Sequence, residues 1–258
     1  MARFVSRHPR ILLITALLLI AVTLFALLHG ISLPVPDRSQ KTAEETSAFH
    51  GSNRDPESNA SRISVPYISQ ENLLPTGCEL VSAVMLLRFE GCYTSVYDFA
   101  DAIPKQELYP KGSLLYGPHP DSAFVGDPYS SSGYGCYAPV VAETLNRFLP
   151  SGRQASASKE RTLSDLADRC TEEGQPALIW ATMNMHSSSP GTQWILPSGE
   201  KFQWTAGEHC LVLLGADDSF YYFNDPYESH GQIAYSRTLV EQRYRELGCQ
   251  SVIIIDED

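Results

Sequence analysis

The sequence predicts an α+β domain, with helices in its first part and an antiparallel sheet in its second. Three observations carry this. Helical segments with N-terminal caps recur up to residue 173; from Pro176 the apolar period becomes extended; and short turn sequences separate the extended runs. No internal repeat is visible, and 258 residues suffice for one large domain or two small ones with a sizeable core.

The elements follow in chain order. Residues 63–68 read as a short extended segment. A helix opens near Cys78, where Thr76 acts as N-cap and Glu79 completes a capping box. It carries Leu80, Val81, Val84, Leu87 and Phe89 and stops at Gly91, which tolerates a left-handed backbone. Its apolar residues lie on most sides, so it is expected at the centre of the fold. A short helix runs from Ser95 to about Ile103. Residues 104–135 are loop-like, and a loop of that length in a compact domain points to function. Helices fit 138–148 and 162–173, the latter capped by Thr162 with Asp165. Then come a buried strand at 177–181, a hairpin flanking Pro197-Ser198-Gly199, strands at 209–214 and 220–223, a helix over 237–247 and a last strand at 251–255.

The flanking chain sets the expected location. Ile11 to Leu28 carries no charge and is long enough to span a bilayer as one helix. Arg3, Arg7 and Arg10 precede it and no basic cluster follows, which keeps residues 1–10 in the cytoplasm and delivers the remainder outside. A cleaved signal peptide is the competing reading, although its apolar core is ordinarily shorter. Residues 29–62 are polar and aperiodic and read as a flexible tether, leaving 63–258 as the exported domain. The formal charge of −11 argues against nucleic acid as a partner. The oligomeric state is not legible.

None of the six cysteines forms a CxxC pair, which excludes thioredoxin-like chemistry and a structural zinc site. Disulfides are permitted outside the cytoplasm, but pairings among Cys92, Cys136, Cys170 and Cys249 cannot be read, and Cys210 in its apolar strand is a candidate free thiol. Cys78 stands apart. In the first turn of a helix it meets free N–H groups and the positive end of the macrodipole, so its thiol is expected to ionise below its ordinary value.

A thiol nucleophile needs a base, and the base an orienting group. Of seven histidines, His8, His29 and His50 lie in the membrane segment or tether, and His119 and His186 in loops. His209 opens a strongly apolar strand, where an imidazole requires a hydrogen-bonding partner. Antiparallel pairing of 211–214 with 220–223 returns Asp225 beside it, in Asn224-Asp225-Pro226. Asn224 is the alternative orienter, because pleat alternation lets only one of the two point correctly. Gln70, eight residues before Cys78, is placed to join the Cys78 backbone N–H as an oxyanion donor. The chain has no GxSxG, Walker A, HExxH or GxGxxG motif.

The order Gln, Cys, His, Asp resembles the papain-like cysteine peptidases, and more closely the C-39-like family, relatives of the double-glycine leader peptidase domains of bacteriocin exporters. The resemblance spans about 63–255. It is carried by Val65-Pro66-Tyr67-Ile68-Ser69-Gln70, Pro75-Thr76-Gly77-Cys78-Glu79, Phe124-Val125-Gly126-Asp127-Pro128, Gly133-Tyr134-Gly135-Cys136-Tyr137-Ala138-Pro139, Glu208-His209 and Asn224-Asp225-Pro226. It implies a papain-like fold, a bacterial cell surface, and Cys78 as nucleophile, His209 as base, Asp225 as orienter and Gln70 as oxyanion donor. The transporter spans and ATPase domain of the exporters are absent from this sequence.

The expectation is a membrane-anchored extracellular cysteine peptidase acting on a peptide or protein substrate, with no metal or organic cofactor called for. A cell-wall peptide amidase or acyltransferase with the same triad, and an inactive peptide-binding surface domain, are the alternatives.

Overall fold

The computed structural model describes residues 61–227 and 231–257. The expected membrane helix at 11–28, the tether up to residue 60 and His230 lie outside the described residues. Among the described residues no helix is long and apolar enough to cross a membrane.

The chain enters through β1 (Ser61–Arg62), just ahead of the boundary expected at 63. An extended segment then leads to α1 (Cys78–Phe89), buried at every position from Cys78 to Leu87. A helix apolar on all sides has to be covered on all sides, and α1 is central as expected. It ends with Gly91 at φ +77°. α2 (Val96–Ala102) starts where the Ser95 hydroxyl accepts the Asp98 N–H at 3.0 Å.

The stretch read as a loop is partly organised. It holds β2 (Lys105–Gln106), β3 (Tyr109–Lys111), β4 (Leu114–Tyr116) and β5 (Phe124–Val125). Runs of two or three residues are too short to display an alternation, so the sequence hides them. α3 (Ala138–Leu145) follows, with Pro139 in its first turn, where the missing N–H is no loss.

β6 (Arg153–Ser158) was not expected, because it has no large apolar side chain; it gains its place as the edge strand of a sheet whose other members are apolar. α4 (Leu163–Asp168) has Thr162 as its cap and continues into a wider turn over 169–173. β7 (Ala177–Thr182), β8 (Ser189–Ile195), β9 (Lys201–Ala206), β10 (Glu208–Ala216) and β11 (Phe220–Asn224) match the expected strands. β12 (Gln232–Ser236), a second unexpected edge strand, precedes α5 (Arg237–Glu246) and β13 (Ser251–Asp256).

Seven strands form the main sheet, in the order β12-β11-β10-β7-β13-β6 with β1 also paired to β10. Every pairing in it is antiparallel. β3, β4, β8 and β9 make a separate four-stranded sheet. Alternation along β10 divides the core. Cys210, Val212 and Leu214 pack with α1, α3 and Trp180 of β7. Leu211 and Leu213 pack on the other side with Leu166, Val240, Tyr244 and Phe223. Each fully buried Leu, Val or Phe contributes about 1.5–3 kcal/mol, so the two layers fix both β10 and α1 firmly. The first residues of these two elements, Cys78 and Glu208-His209, form the candidate site.

Candidate active site

Cys78 is the first residue of α1 and 7 % exposed. Its cap is not the expected one. Gly77 occupies the N-cap position without a side-chain bond, and the Thr76 hydroxyl instead donates to the Ser130 carbonyl at 3.0 Å. Glu79 does not complete a capping box either. Its carboxylate turns inward, accepting the Cys136 N–H at 2.7 Å and the Cys78 thiol at 3.3 Å. The reason is the loop 127–137, which wraps the start of α1 and presents N–H groups that solvent cannot reach. The Gly133–Ala138 motif is therefore part of the site's wall, braced by the Trp180 indole donating to the Cys136 carbonyl at 3.0 Å.

His209 is fully buried and its Nε2 lies 2.7 Å from Asp225 Oδ1. The expected hairpin produces this: Val212 pairs with Asn224, so Asp225, the next residue, shares a face with Leu211 and His209. Asn224 points the other way, donating to the Val65 carbonyl at 3.0 Å. Alternation thus chooses Asp225 over Asn224. Asp225 Oδ1 also accepts the Tyr227 N–H at 2.9 Å. His209 Nδ1 has no hydrogen-bond partner.

Gln70 is buried, and its backbone N–H reaches the Pro226 carbonyl at 2.8 Å, which ties it to the Asp225 turn. Its side-chain amide donates to the Pro75 carbonyl at 3.3 Å, and its Oε1 has no partner. His119 stacks edge-on with Phe202, and His186 follows the short turn Met183–Met185; neither joins this group. All six cysteines are free thiols.

The electrostatics overturn one expectation. The Cys78 thiol is pushed well up, not down: burial is the largest cause, and the charges of Glu79 and Glu208 add to it, against a Cys210 backbone N–H that favours the thiolate. Removal from water and two nearby carboxyls outweigh the helix terminus. Burial likewise raises Glu79 to about 7, although the Cys136 N–H opposes it. Glu208 is raised well above the carboxylate range by burial and then by Glu79. Asp225 differs. Burial would raise it, but His209 and the Tyr227 N–H hold it below its ordinary value.

Cys78, Glu79 and Glu208 place their sulfur and oxygen atoms within 4.8 Å of one another, the closest approach to a metal-type donor set among the described residues. The thiol proton is spent on Glu79 and Glu79 Oε1 on a backbone N–H. Of the three residues only Glu208 keeps a buried oxygen, Oε1, without a hydrogen-bond partner. Two surface hollows among the described residues, about 280 Å³ beside Asn146 and Arg153 and about 400 Å³ beside Pro66 and Tyr93, are not lined by these groups.

Two expected outcomes arise here. A Cβ at Gly135 would stand 2.3 Å from Glu79 Oε1, and the residue has φ +144°. Gly135→Ala therefore displaces a buried hydrogen-bonded carboxylate and is expected to destabilise the domain by about 3 kcal/mol or more, read by denaturant unfolding. The second outcome concerns pH. A carboxyl whose folded value is raised stabilises the fold below its unfolded value, and this is lost as pH rises through the folded value. Glu79 and Glu208 should thus lower the unfolding temperature between pH 5 and 8, and Glu208→Gln should reduce that fall while leaving the part that comes from Glu79. Asp225 acts oppositely, its contribution disappearing only as pH falls below its ordinary range.

A cysteine opening a buried helix and a histidine–carboxylate pair on neighbouring antiparallel strands define a peptidase-like α+β domain. The chain belongs to the Peptidase_C39 like family, whose model matches residues 62–252. It is 28 % identical over 182 residues to the uncharacterized protein YvpB of Bacillus subtilis, covering 70 % of each chain. It resembles the crystal structure of a protein from Bacillus anthracis classed as a C39-like peptidase, with TM-score 0.68 and 26 % identity over 76 % of this chain and 98 % of that one. The structure of a double glycine motif protease from an AMS/PCAT transporter, in complex with the leader peptide, matches at TM-score 0.42 and 14 % identity over 76 % and 95 % of the two chains. Likeness at that level says nothing about the substrate of this chain.

The sequence singles out Cys78, His209, Asp225 and Gln70 as candidates, but gives Glu79 only a capping role and Glu208 none. The available signal was a glutamate directly beside each of the two proposed reactive residues, inside otherwise apolar runs.

Proposed function

We propose that the chain is a membrane-anchored cysteine peptidase that hydrolyses peptide bonds outside the cell. One observation carries the mechanism: Asp225 occupies His209 Nε2, which leaves Nδ1 as an unfilled acceptor. The neighbours of His209 along β10, Glu208 and Cys210, are set against the Cys78 sulfur; the His209 side chain itself faces Asp225 and acts within the cluster on Glu79, so the proposed dyad requires the imidazole to turn to the sulfur when substrate binds. The thiol rests on Glu79, and catalytic hydrogen bonds commonly tighten only once substrate is bound.

In the proposed reaction the Cys78 proton passes to His209 Nδ1, and Asp225 steadies the resulting imidazolium. The thiolate attacks the amide carbonyl, forming a C–S bond. The oxyanion is met by the Cys78 N–H and one hydrogen of the Gln70 amide, which has two to give. The imidazolium protonates the leaving amine as the C–N bond breaks. Water, deprotonated by His209, then attacks the thioester; the acid leaves and the sulfur recovers its proton. The uncharged run Ile11 to Leu28 behind three arginines supports the anchor and its orientation.

The bond from the thiol to Glu79, with the thiol pushed up by burial, favours as a second reading a peptide-binding domain whose cysteine stays un-ionised. Incubating the full-length chain with a thiol-directed activity probe separates the two. The peptidase predicts labelling on Cys78 that vanishes in Cys78→Ala and drops in His209→Ala. Labelling indifferent to His209 would remove the proposed dyad. Release of amines from peptides, compared with release from peptidoglycan fragments, then separates the peptidase from a cell-wall amidase.

A further inference from the structure

Glu79 and Glu208 are the groups that the proposed reaction leaves unused, and they stand closest to the sulfur. Glu79 accepts the thiol at 3.3 Å, and an oxygen of Glu208 lies within 4.8 Å of both. Both are buried, and Glu208 Oε1 has no hydrogen-bond partner. The titratable groups facing them are Cys78 on α1, Cys210 and His209 on β10, with Asp225 beyond His209, and Cys136 and Tyr137 in the wrapping loop. None of these is a lysine or arginine. Two carboxyls so close in a dry compartment cannot both ionise, so they hold a proton between them.

We propose that Glu79 and Glu208 are positioning residues that set the reactivity of Cys78: sharing one proton, they keep a single negative charge beside the sulfur and hold it as a thiol bonded to Glu79. In this arrangement the thiol is released to His209 only when substrate enters. A helix N-terminus that would otherwise yield a free thiolate is thereby kept from reacting with passing electrophiles and oxidants, which react with the thiolate and not the thiol. The direction of the Cys78 shift, upward from burial and from these two carboxyls, agrees with the geometry. The proposal rests on the reading of Cys78 as nucleophile.

The test is the pH dependence of iodoacetamide alkylation at Cys78 in the full-length chain, followed by mass spectrometry of the peptide that contains it. Glu79→Gln can still accept the Cys136 N–H but sets an amide donor in place of the oxygen that accepts the thiol; Glu208→Gln leaves the pair's one charge on Glu79, and the double variant removes it. Glu79→Gln and the double variant are each expected to move the midpoint of the profile to lower pH by about one unit, a tenfold rise in rate at neutral pH, while Glu208→Gln alone leaves it near that of wild type. A purely structural role would change unfolding without moving the midpoint. Glu208→Gln leaves both Glu79 bonds intact and keeps the one charge, so a midpoint in it lowered by a full unit would show that the pair shares no proton and overturn the proposal even if Glu79→Gln fails to fold. An unmoved or upward-shifted midpoint in folded Glu79→Gln or in the folded double variant overturns the proposal. His209→Ala tells the two readings apart. If it matches wild type while Glu79→Gln and the double variant shift, the dyad fails and the pair stands; if it raises the midpoint while they do not move, the pair fails and the dyad stands.

Discussion

Replacing Cys78 with alanine is expected to lower kcat/KM on any cleaved peptide by at least about 10³-fold, and His209→Ala should cost nearly as much. The double variant should be little worse than either. In the proposed reaction nucleophile and base act as one unit: without His209 the thiol, which burial and two carboxyls already disfavour as thiolate, has no base to carry its proton to the leaving amine. Without the sulfur the base has nothing to activate. Cys78→Ala should leave the fold intact, whereas His209→Ala leaves the buried Asp225 carboxylate without its imidazole and is expected to cost about 3–5 kcal/mol of stability. Cys78→Ala removes one weak S–H bond to Glu79, which keeps its stronger bond to the Cys136 N–H. Additive losses in the double variant would mean that the two residues serve different steps.

The second large effect is at Asp225. Asp225→Ala leaves a fully buried imidazole with neither nitrogen partnered and strips the Tyr227 N–H of its acceptor. Unpairing a buried polar pair costs about 3–5 kcal/mol. In a domain of this size that lowers the unfolding temperature by about 6–20 °C, at 2–4 °C per kcal/mol. Activity should fall by about 10²–10⁴ as the imidazole loses its tautomer and orientation. Asp225→Asn separates the two roles. Its carbonyl oxygen can still accept from His209 Nε2–H and from the Tyr227 N–H, so most of the stability should return. The imidazolium loses its counter-charge, so much of the rate should not. Recovery of both would make Asp225 a packing residue only.

What could be read in the sequence depended on length and periodicity. α1 was legible because Leu80 to Leu87 is apolar on all sides and Gly91 stops it. β10 and β11 were legible because their apolar runs flank a short turn, and that hairpin alone placed Asp225 on the face of His209 and Asn224 off it. β6, with Arg153-Gln154-Ala155-Ser156-Ala157-Ser158, was invisible because its place comes from pairing with β13 and not from its own side chains. The short strands between residues 105 and 125 failed for want of length.

At the site the failure was of another kind. Thr76 and Glu79 have the spacing of a capping box, but local spacing cannot foresee that the loop around Gly135 and Cys136 folds over the same helix end. That loop buries Glu79 and recruits it, and with Glu208 it reverses the direction in which the thiol shifts. The helix-terminus argument for Cys78 was sound for an exposed terminus and wrong for one sealed from water.

The central claim is that Cys78 carries the acyl group. The most direct measurement is to mix the full-length chain with a peptide it cleaves, quench in acid, digest, and locate any acyl adduct by mass spectrometry. The account predicts a thioester on the peptide containing Cys78 and on no other cysteine-containing peptide, absent from His209→Ala. An adduct on Cys136 or Cys210, or continued hydrolysis by Cys78→Ala, would contradict it.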